Sequence, residues 1–169
     1  WWEEKKINQT LPLNENQNAI KIITIHKAKG LEFKAVIIPF CNWNMDQDKR
    51  NFIWCIPQKS PFNNLDLLPI RYSENLSKTI FYNDYLKEKM KAYVDNLNLL
   101  YVAFTRAKDF LIGYAPYSES KNTQQTKASD LLLNCLTEAE SEILKNNFNN
   151  EHKIFKLGKP LDYTQTSKE

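Results

Sequence analysis

From Thr79 to Ala107, apolar side chains return at three- and four-residue intervals: Tyr82, Leu86, Met90, Tyr93, Leu97, Leu100, Tyr101 and Phe104. That is the repeat of an amphipathic helix. At 1.5 Å per residue the span is about 43 Å, so a kink or break is expected within a compact domain. Shorter runs of another kind flank it. "AIKIITI" from Ala19, "AVIIPF" over Ala35 to Phe40, "FIWCIP" ended by Pro57 and "DFLIGYAP" ended by Pro116 are rich in β-branched and aromatic residues, and each is too short for a helix. They read as strands. Strands alternating with a long helix favour an α/β layer arrangement with mostly parallel pairing.

The remaining stretches divide the chain. Residues 1–18 are polar and asparagine-rich behind the adjacent Trp1 and Trp2, and read as the end of a preceding domain, so a fragment of a larger protein is expected. The core domain is expected over 19–117, with an irregular surface segment around Pro61 and Pro69. A polar linker follows over 118–127. A further amphipathic helix opening at an N-cap Ser129, with Leu132, Leu136, Ala139 and Ile143 on one side, and then a short strand occupy 128–160. The tail, 161–169, reads as disordered. No internal repeat is evident.

Composition removes several classes of function. The chain has three glycines, Gly30, Gly113 and Gly158, and therefore cannot contain the GxxxxGK[ST] loop that cradles nucleotide phosphates. Its three cysteines, Cys41, Cys55 and Cys135, lie far apart and form no CxxC pair, which supports neither a disulfide framework nor a zinc site. Mean hydropathy is -0.58, and no apolar run reaches the length of a membrane span, so a cytoplasmic protein without membrane contact is expected. The net charge of +3 is compatible with a polyanion but does not point to one. Of 23 basic residues three are arginine, Arg50, Arg71 and Arg106, which draws attention to each.

Two runs carry the chemistry. "IITIHKAKGLEFKAVIIPF" places Thr24, His26, Lys29, Gly30, Leu31, Glu32 and Phe33 between two apolar stretches, and "NLLYVAFTRAKDFLIGY" places Tyr101, Val102, Ala103, Thr105, Arg106 and Ala107 where the long helix gives way to a strand. Taken together they resemble the fifth and sixth motifs of the UvrD/Rep-type superfamily 1 DNA helicases. The resemblance runs from about Ile20 to Tyr114, and the long insert between the motifs is closer to the RecB/AddA helicase-nuclease branch. One departure is visible: repair helicases of this family usually carry acidic and arginine residues just before the sixth motif, where this chain has Asp95, Asn96, Leu97 and Asn98.

The resemblance implies a RecA-like second motor domain of P-loop NTPase type, a mostly parallel sheet flanked by helices, incomplete if the chain is a fragment. It implies that ATP with Mg2+ is held between this domain and a first RecA-like domain of the same parent chain, which would supply the phosphate loop and the metal ligands. Arg106 is then the arginine finger, because a guanidinium brings permanent charge and forked donors to a phosphoryl group in transfer. The alternative for Arg106 is a favourable interaction with the helix C-terminus. Glu32 is implied to accept a hydrogen bond from the ribose, with Gly30 allowing close backbone approach. A solvated surface glutamate is the alternative.

Thr24 and His26, two apart and on one side of an expected strand, are implied to contact the backbone of single-stranded DNA, with Lys29 adding charge. A structural histidine is the alternative for His26. Trp43, Trp54 and the tyrosines are read as core residues ahead of base-stacking ones. Glu151 and Lys153 have the spacing of a nuclease element but lack a preceding metal-binding aspartate in a strand, and take no role. The expected function is thus the C-terminal motor domain of an ATP-dependent DNA helicase or helicase-nuclease in DNA repair or recombination, without ATPase activity by itself. A helicase-nuclease partner subunit is a further expectation, and a non-hydrolysing DNA-binding subunit of such a complex is the alternative.

Overall fold

The computed structural model describes residues 19–117, 126–138 and 140–159. The expected N-terminal segment (1–18), most of the linker, Ala139 and the tail (161–169) lie outside the described residues. Among the described residues six strands pair into three two-stranded sheets. β1 (Phe33–Ile38) runs parallel to β4 (Ala107–Gly113), with a register irregularity between Phe33 and Ala35. β2 (Phe52–Cys55) and β3 (Leu68–Arg71) form an antiparallel ribbon, and β5 (Phe148–Asn149) and β6 (Ile154–Phe155) a short hairpin. A 3₁₀ turn at Glu74–Lys78 leads into α1 (Tyr82–Phe104), and α2 (Ala128–Thr137) and α3 (Glu142–Asn147) follow β4.

A parallel pair needs a crossover, and α1 supplies it. The helix is a single uninterrupted element of 23 residues, about 34 Å long, in place of the expected longer helix with a break. The 3₁₀ turn and the strand start at Ala107 remove the residues that made the expected span too long.

The buried face of α1 is the expected one in part. Of the expected stripe, Leu100 is buried and Leu86, Tyr93 and Phe104 pack against the buried clusters, whereas Tyr82, Met90, Leu97 and Tyr101 are exposed. Tyr85, Ala92 and Ala103 are buried as well, so the buried face is turned around the helix toward them. Three clusters form along it. Ile53, Cys55, Tyr72 and Leu76 gather around Tyr85; Met45 and Ala128 around Leu100; Ile38 and Cys41 around Ala103.

Other expectations are corrected in the same physical terms. "AIKIITI" is not a strand: residues 19–24 have no ladder partner among the described residues, and Ile20 and Ile22 are almost fully exposed. β3 arises in the segment expected to be irregular, and tolerates Pro69 because a two-stranded ribbon leaves each strand one open edge. The single expected second helix is two, α2 and α3, with Lys127 at the N-cap position in place of Ser129, and Asp130 accepting from the Lys127 backbone N–H.

Trp43 packs into the core, as expected. Trp54 does not. It is 65% exposed because the alternation of β2 turns Ile53 and Cys55 inward and Phe52 and Trp54 outward. Among the described residues the broad, mostly parallel sheet is not present: one pair is parallel and two are antiparallel.

A polar lock fastens the β2–β3 insert to α1. The buried Tyr72 hydroxyl donates to Asp46 Oδ1 at 2.6 Å, and its ring stacks on Tyr85 with centroids 5.2 Å apart. Lys89 lies 3.9 Å from Asp46 Oδ2 and over the Tyr85 ring. Burial and the neighbouring carboxylate push the Tyr72 phenol far above its ordinary range, so it is a permanent donor here. Nearby, Asn96 Nδ2 donates to Met45 O at 3.1 Å and to Ala92 O at 2.9 Å. Asn96 thus tethers the insert to α1 just before the second motif.

Asp46 Oδ1 also accepts from the Gln47 N–H, so it keeps a donor when the hydroxyl is removed. Tyr72→Phe is therefore expected to cost about 1 kcal/mol, the net worth of one hydrogen bond, and Tyr72→Ala about 3–5 kcal/mol through the cavity beside Tyr85. Urea unfolding of the two variants checks the order.

Candidate nucleotide and DNA site

Residues 25–30 form a tight turn held by its own backbone. Ala28 N donates to Thr24 O and to Ile25 O, both at 3.1 Å, Lys29 N to His26 O at 3.3 Å, and Leu31 N to Ala28 O at 3.0 Å. Lys27 N donates to Thr24 Oγ1 at 3.3 Å, so the threonine hydroxyl starts the turn as a side-chain cap would. Ala28 is buried beneath it, while Thr24, His26, Lys27 and Lys29 are exposed above.

Thr24 and His26 are therefore neighbours across a turn and do not share one side of a strand; the alternation expected of them fails with the strand itself. Gly30 closes the turn at φ +81, a region that costs a residue with a Cβ about 1–2 kcal/mol. A Cβ there would meet nothing within 4 Å, so the requirement for glycine lies in the backbone angle and not in space.

The turn delivers the chain into β1 beside the end of α1. The helix stops at the C-cap Thr105, whose hydroxyl folds back to Tyr101 O at 2.7 Å. Arg106 comes next and is half-buried. Its Nε donates to Val102 O at 3.1 Å, Nη1 to Leu31 O at 3.1 Å, and Nη2 to Thr105 Oγ1 at 2.9 Å. Its own carbonyl accepts from Phe33 N at 2.9 Å. The helix-end interaction expected as the alternative is present, and it uses one of five guanidinium N–H groups; these three bonds leave two uncommitted.

Glu32 and Lys108 lie alongside. Phe33 is in parallel register with Ala107, which sets Glu32 beside Arg106, and Lys108, one residue further along β4, reaches diagonally across so that its Nζ lies 2.7 Å from Glu32 Oε2. The hydrogen bond from Lys108, its charge and the more distant charge of Arg106 hold the Glu32 carboxyl below its ordinary range. The same partner raises the Lys108 ammonium. Both groups are thus charged at neutral pH, and the pair is lost as pH falls through the lowered glutamate value or rises through the raised lysine value.

The structure therefore brings Glu32 and Arg106 together at one edge, with Gly30 shaping the turn before them, and leaves Thr24, His26 and Lys29 exposed on that turn. Sequence reasoning gave Lys108 no role although it stands in the same motif. Its signal was the opposite charge to Glu32, which only the β1–β4 register makes meaningful.

Residues 4–115 match the model of the UvrD-like helicase C-terminal domain, and the chain belongs to that family. Similar curated proteins are named as ATP-dependent helicase/nuclease subunits of the AddA kind. That of Clostridioides difficile is 36% identical over 59% of this chain and 8% of its own length, and that of Clostridium kluyveri 31% over 67% and 9%. That of Clostridium acetobutylicum is 30% identical over 79% and 10%. These relatives agree with the RecB/AddA branch, and the chain spans about a tenth of their length or less. No solved structure matches the chain significantly. No helix among the described residues is long and apolar enough to cross a membrane.

Gly30→Asn is expected to keep the turn, because asparagine tolerates positive φ, whereas Gly30→Val is expected to destabilise the domain by about 2 kcal/mol. Thermal unfolding of both variants checks it.

Proposed function

We propose that this chain is the second, RecA-like motor domain of an ATP-dependent DNA helicase of the helicase-nuclease type, acting in the cytoplasm in DNA repair or recombination. The observation that carries the reading is the junction of the two motifs, where Arg106 and Glu32 stand at one edge, tied through Leu31 and Lys108. In this reading the two uncommitted N–H groups of Arg106 serve the phosphoryl group of ATP bound by the first motor domain. The donor set fits an anion: one guanidinium and one ammonium around a single carboxylate. Glu32 accepts from the ribose.

Among the described residues no cluster of three or more His, Cys, Asp or Glu is arranged to hold a metal. In this reading the ligands of Mg2+ come from the first motor domain, along with the phosphate loop, for which Gly30, Gly113 and Gly158 are spaced too far apart. Thr24, His26 and Lys29, exposed on the turn that precedes Glu32, take the phosphates of single-stranded DNA, which positions a strand without reading its sequence. DNA and nucleotide contacts then share one rigid turn, so closure of the cleft around ATP moves the DNA grip with it. By itself the fragment hydrolyses nothing. That the relatives are named as one component of a helicase/nuclease supports a further component beside the parent.

The test is the ATPase activity of the full-length parent with and without single-stranded DNA. Arg106→Ala is expected to lower turnover by roughly 10³ or more. A DNA-stimulated activity that survives the substitution would make Arg106 a helix-end residue only, and a parent without any activity would favour a passive DNA-binding role. His26→Ala together with Lys29→Ala is expected to weaken binding of an oligothymidine and to reduce its salt dependence, because one cation fewer displaces fewer counterions. Fluorescence anisotropy over a salt series measures both.

A further inference from the structure

We propose that Lys108 is a positioning residue for the nucleotide sugar: it holds one oxygen of Glu32 and leaves the other as the acceptor that distinguishes a ribose from a sugar without hydroxyls. The inference rests on the ribose reading of Glu32 and adds the group that makes that reading work. Three ties join residues 31–33 to residues 106–108 in succession. Arg106 Nη1 donates to Leu31 O at 3.1 Å, Lys108 Nζ pairs with Glu32 Oε2 at 2.7 Å, and Phe33 N donates to Arg106 O at 2.9 Å. The outer two fix the backbone on both sides of Glu32. The middle one alone fixes its side chain.

A glutamate at an exposed position has three rotatable bonds, and ordering it on binding costs conformational entropy. Here the Glu32 side chain is 60% exposed, and among the described residues it is held by the lysine, through Oε2. Lys108 sits at the register irregularity of β4, between Ala107, which is paired with Phe33, and Phe110, which is paired with Ala35. The ion pair therefore spans two neighbouring strands, which restricts the carboxylate before any ligand arrives. Oε1 remains available to a hydroxyl donor. The carboxyl, which the lysine holds below its ordinary range, is an acceptor to which a ribose hydroxyl can donate. Arg106 does not hold the Glu32 carboxylate here, its three hydrogen bonds going to Val102 O, Leu31 O and Thr105 Oγ1.

The experiment is titration calorimetry of the full-length parent with ADP and with 2′,3′-dideoxy-ADP, for wild type, Lys108→Met, Lys108→Arg and Glu32→Ala. For wild type, ADP is expected to bind more tightly than the dideoxy compound. Lys108→Met is expected to lower that preference by roughly threefold, through weaker ADP binding with the dideoxy compound unchanged, an effect of the size seen for exposed ion pairs. Lys108→Arg restores it. Glu32→Ala, which takes away the acceptor, removes the preference outright, whether Lys108 is present or not.

If Lys108→Met weakens both ligands equally, the lysine acts on phosphate and the proposal falls, while the reading of Glu32 stands. If Lys108→Met changes nothing while Glu32→Ala abolishes the preference, Glu32 needs no positioning and the proposal falls again. If Glu32→Ala leaves the preference intact, the ribose reading itself fails and takes the proposal with it.

Discussion

Everything in this fold is referred to α1. A parallel strand pair cannot close without a crossover, and α1 is the only long element available among the described residues to make one. Each of the three buried clusters takes one residue from it, Tyr85 near its start and Leu100 and Ala103 near its end. The insert between the two motifs therefore does not fold beside the helix as a separate unit. It is bolted to the first half of α1 by Tyr72, Asp46 and Lys89, and by Asn96 further along. The second half carries β1, β4 and the motif junction.

The junction illustrates how a backbone ladder creates a side-chain site. Glu32 and Lys108 are exposed and far apart in sequence, and pairs of that kind contribute little to stability in general. What brings them within reach is the parallel pairing of β1 with β4, across which the long Lys108 side chain extends diagonally, and that pairing is reinforced by the bond from Phe33 N to Arg106 O and by Arg106 reaching back to Leu31 O. The energy resides in the ladder and in the buried clusters beneath it. The charged groups are carried to the edge at small additional cost, which is the arrangement suited to groups that must exchange partners with a ligand.

The family was legible from two short runs, because each sets several distinct residue types at fixed spacings within a few positions. The fold was less so. β1, β2, β4 and the main helix were recognisable to within a few residues, since β-branched runs and a 3.6-residue repeat are local properties. The failures were all failures of context. "AIKIITI" has strand chemistry, yet a strand exists only with a partner, and none lies beside it among the described residues. Pro69 argued against a strand, but that argument applies to a central strand and β3 is not one. The buried face of α1 was placed in part: Leu100 is buried, but so are Tyr85, Ala92 and Ala103 outside the expected stripe, and how closely other elements approach the alanines is not a local property. Within the site the same limit applied: each motif was readable, and the pairing of Glu32 with Lys108 between them was not.

The two roles that the sequence offers Arg106, a helix-end cation and a transition-state donor, are not rivals once the geometry is considered. A lysine at this position would offer one ammonium, and committing it to Val102 O or Leu31 O would consume much of its directional capacity. A guanidinium has five donors in a rigid plane, and binding three to Val102, Leu31 and Thr105 fixes the direction of the remaining two. Under the proposed function that fixation is useful in itself, because a donor oriented before the reaction need not be reoriented during it. The intramolecular bonds of Arg106 are then the means by which the end of α1 aims its charge, and the motion of α1 as a body is the means by which that charge is brought up and withdrawn.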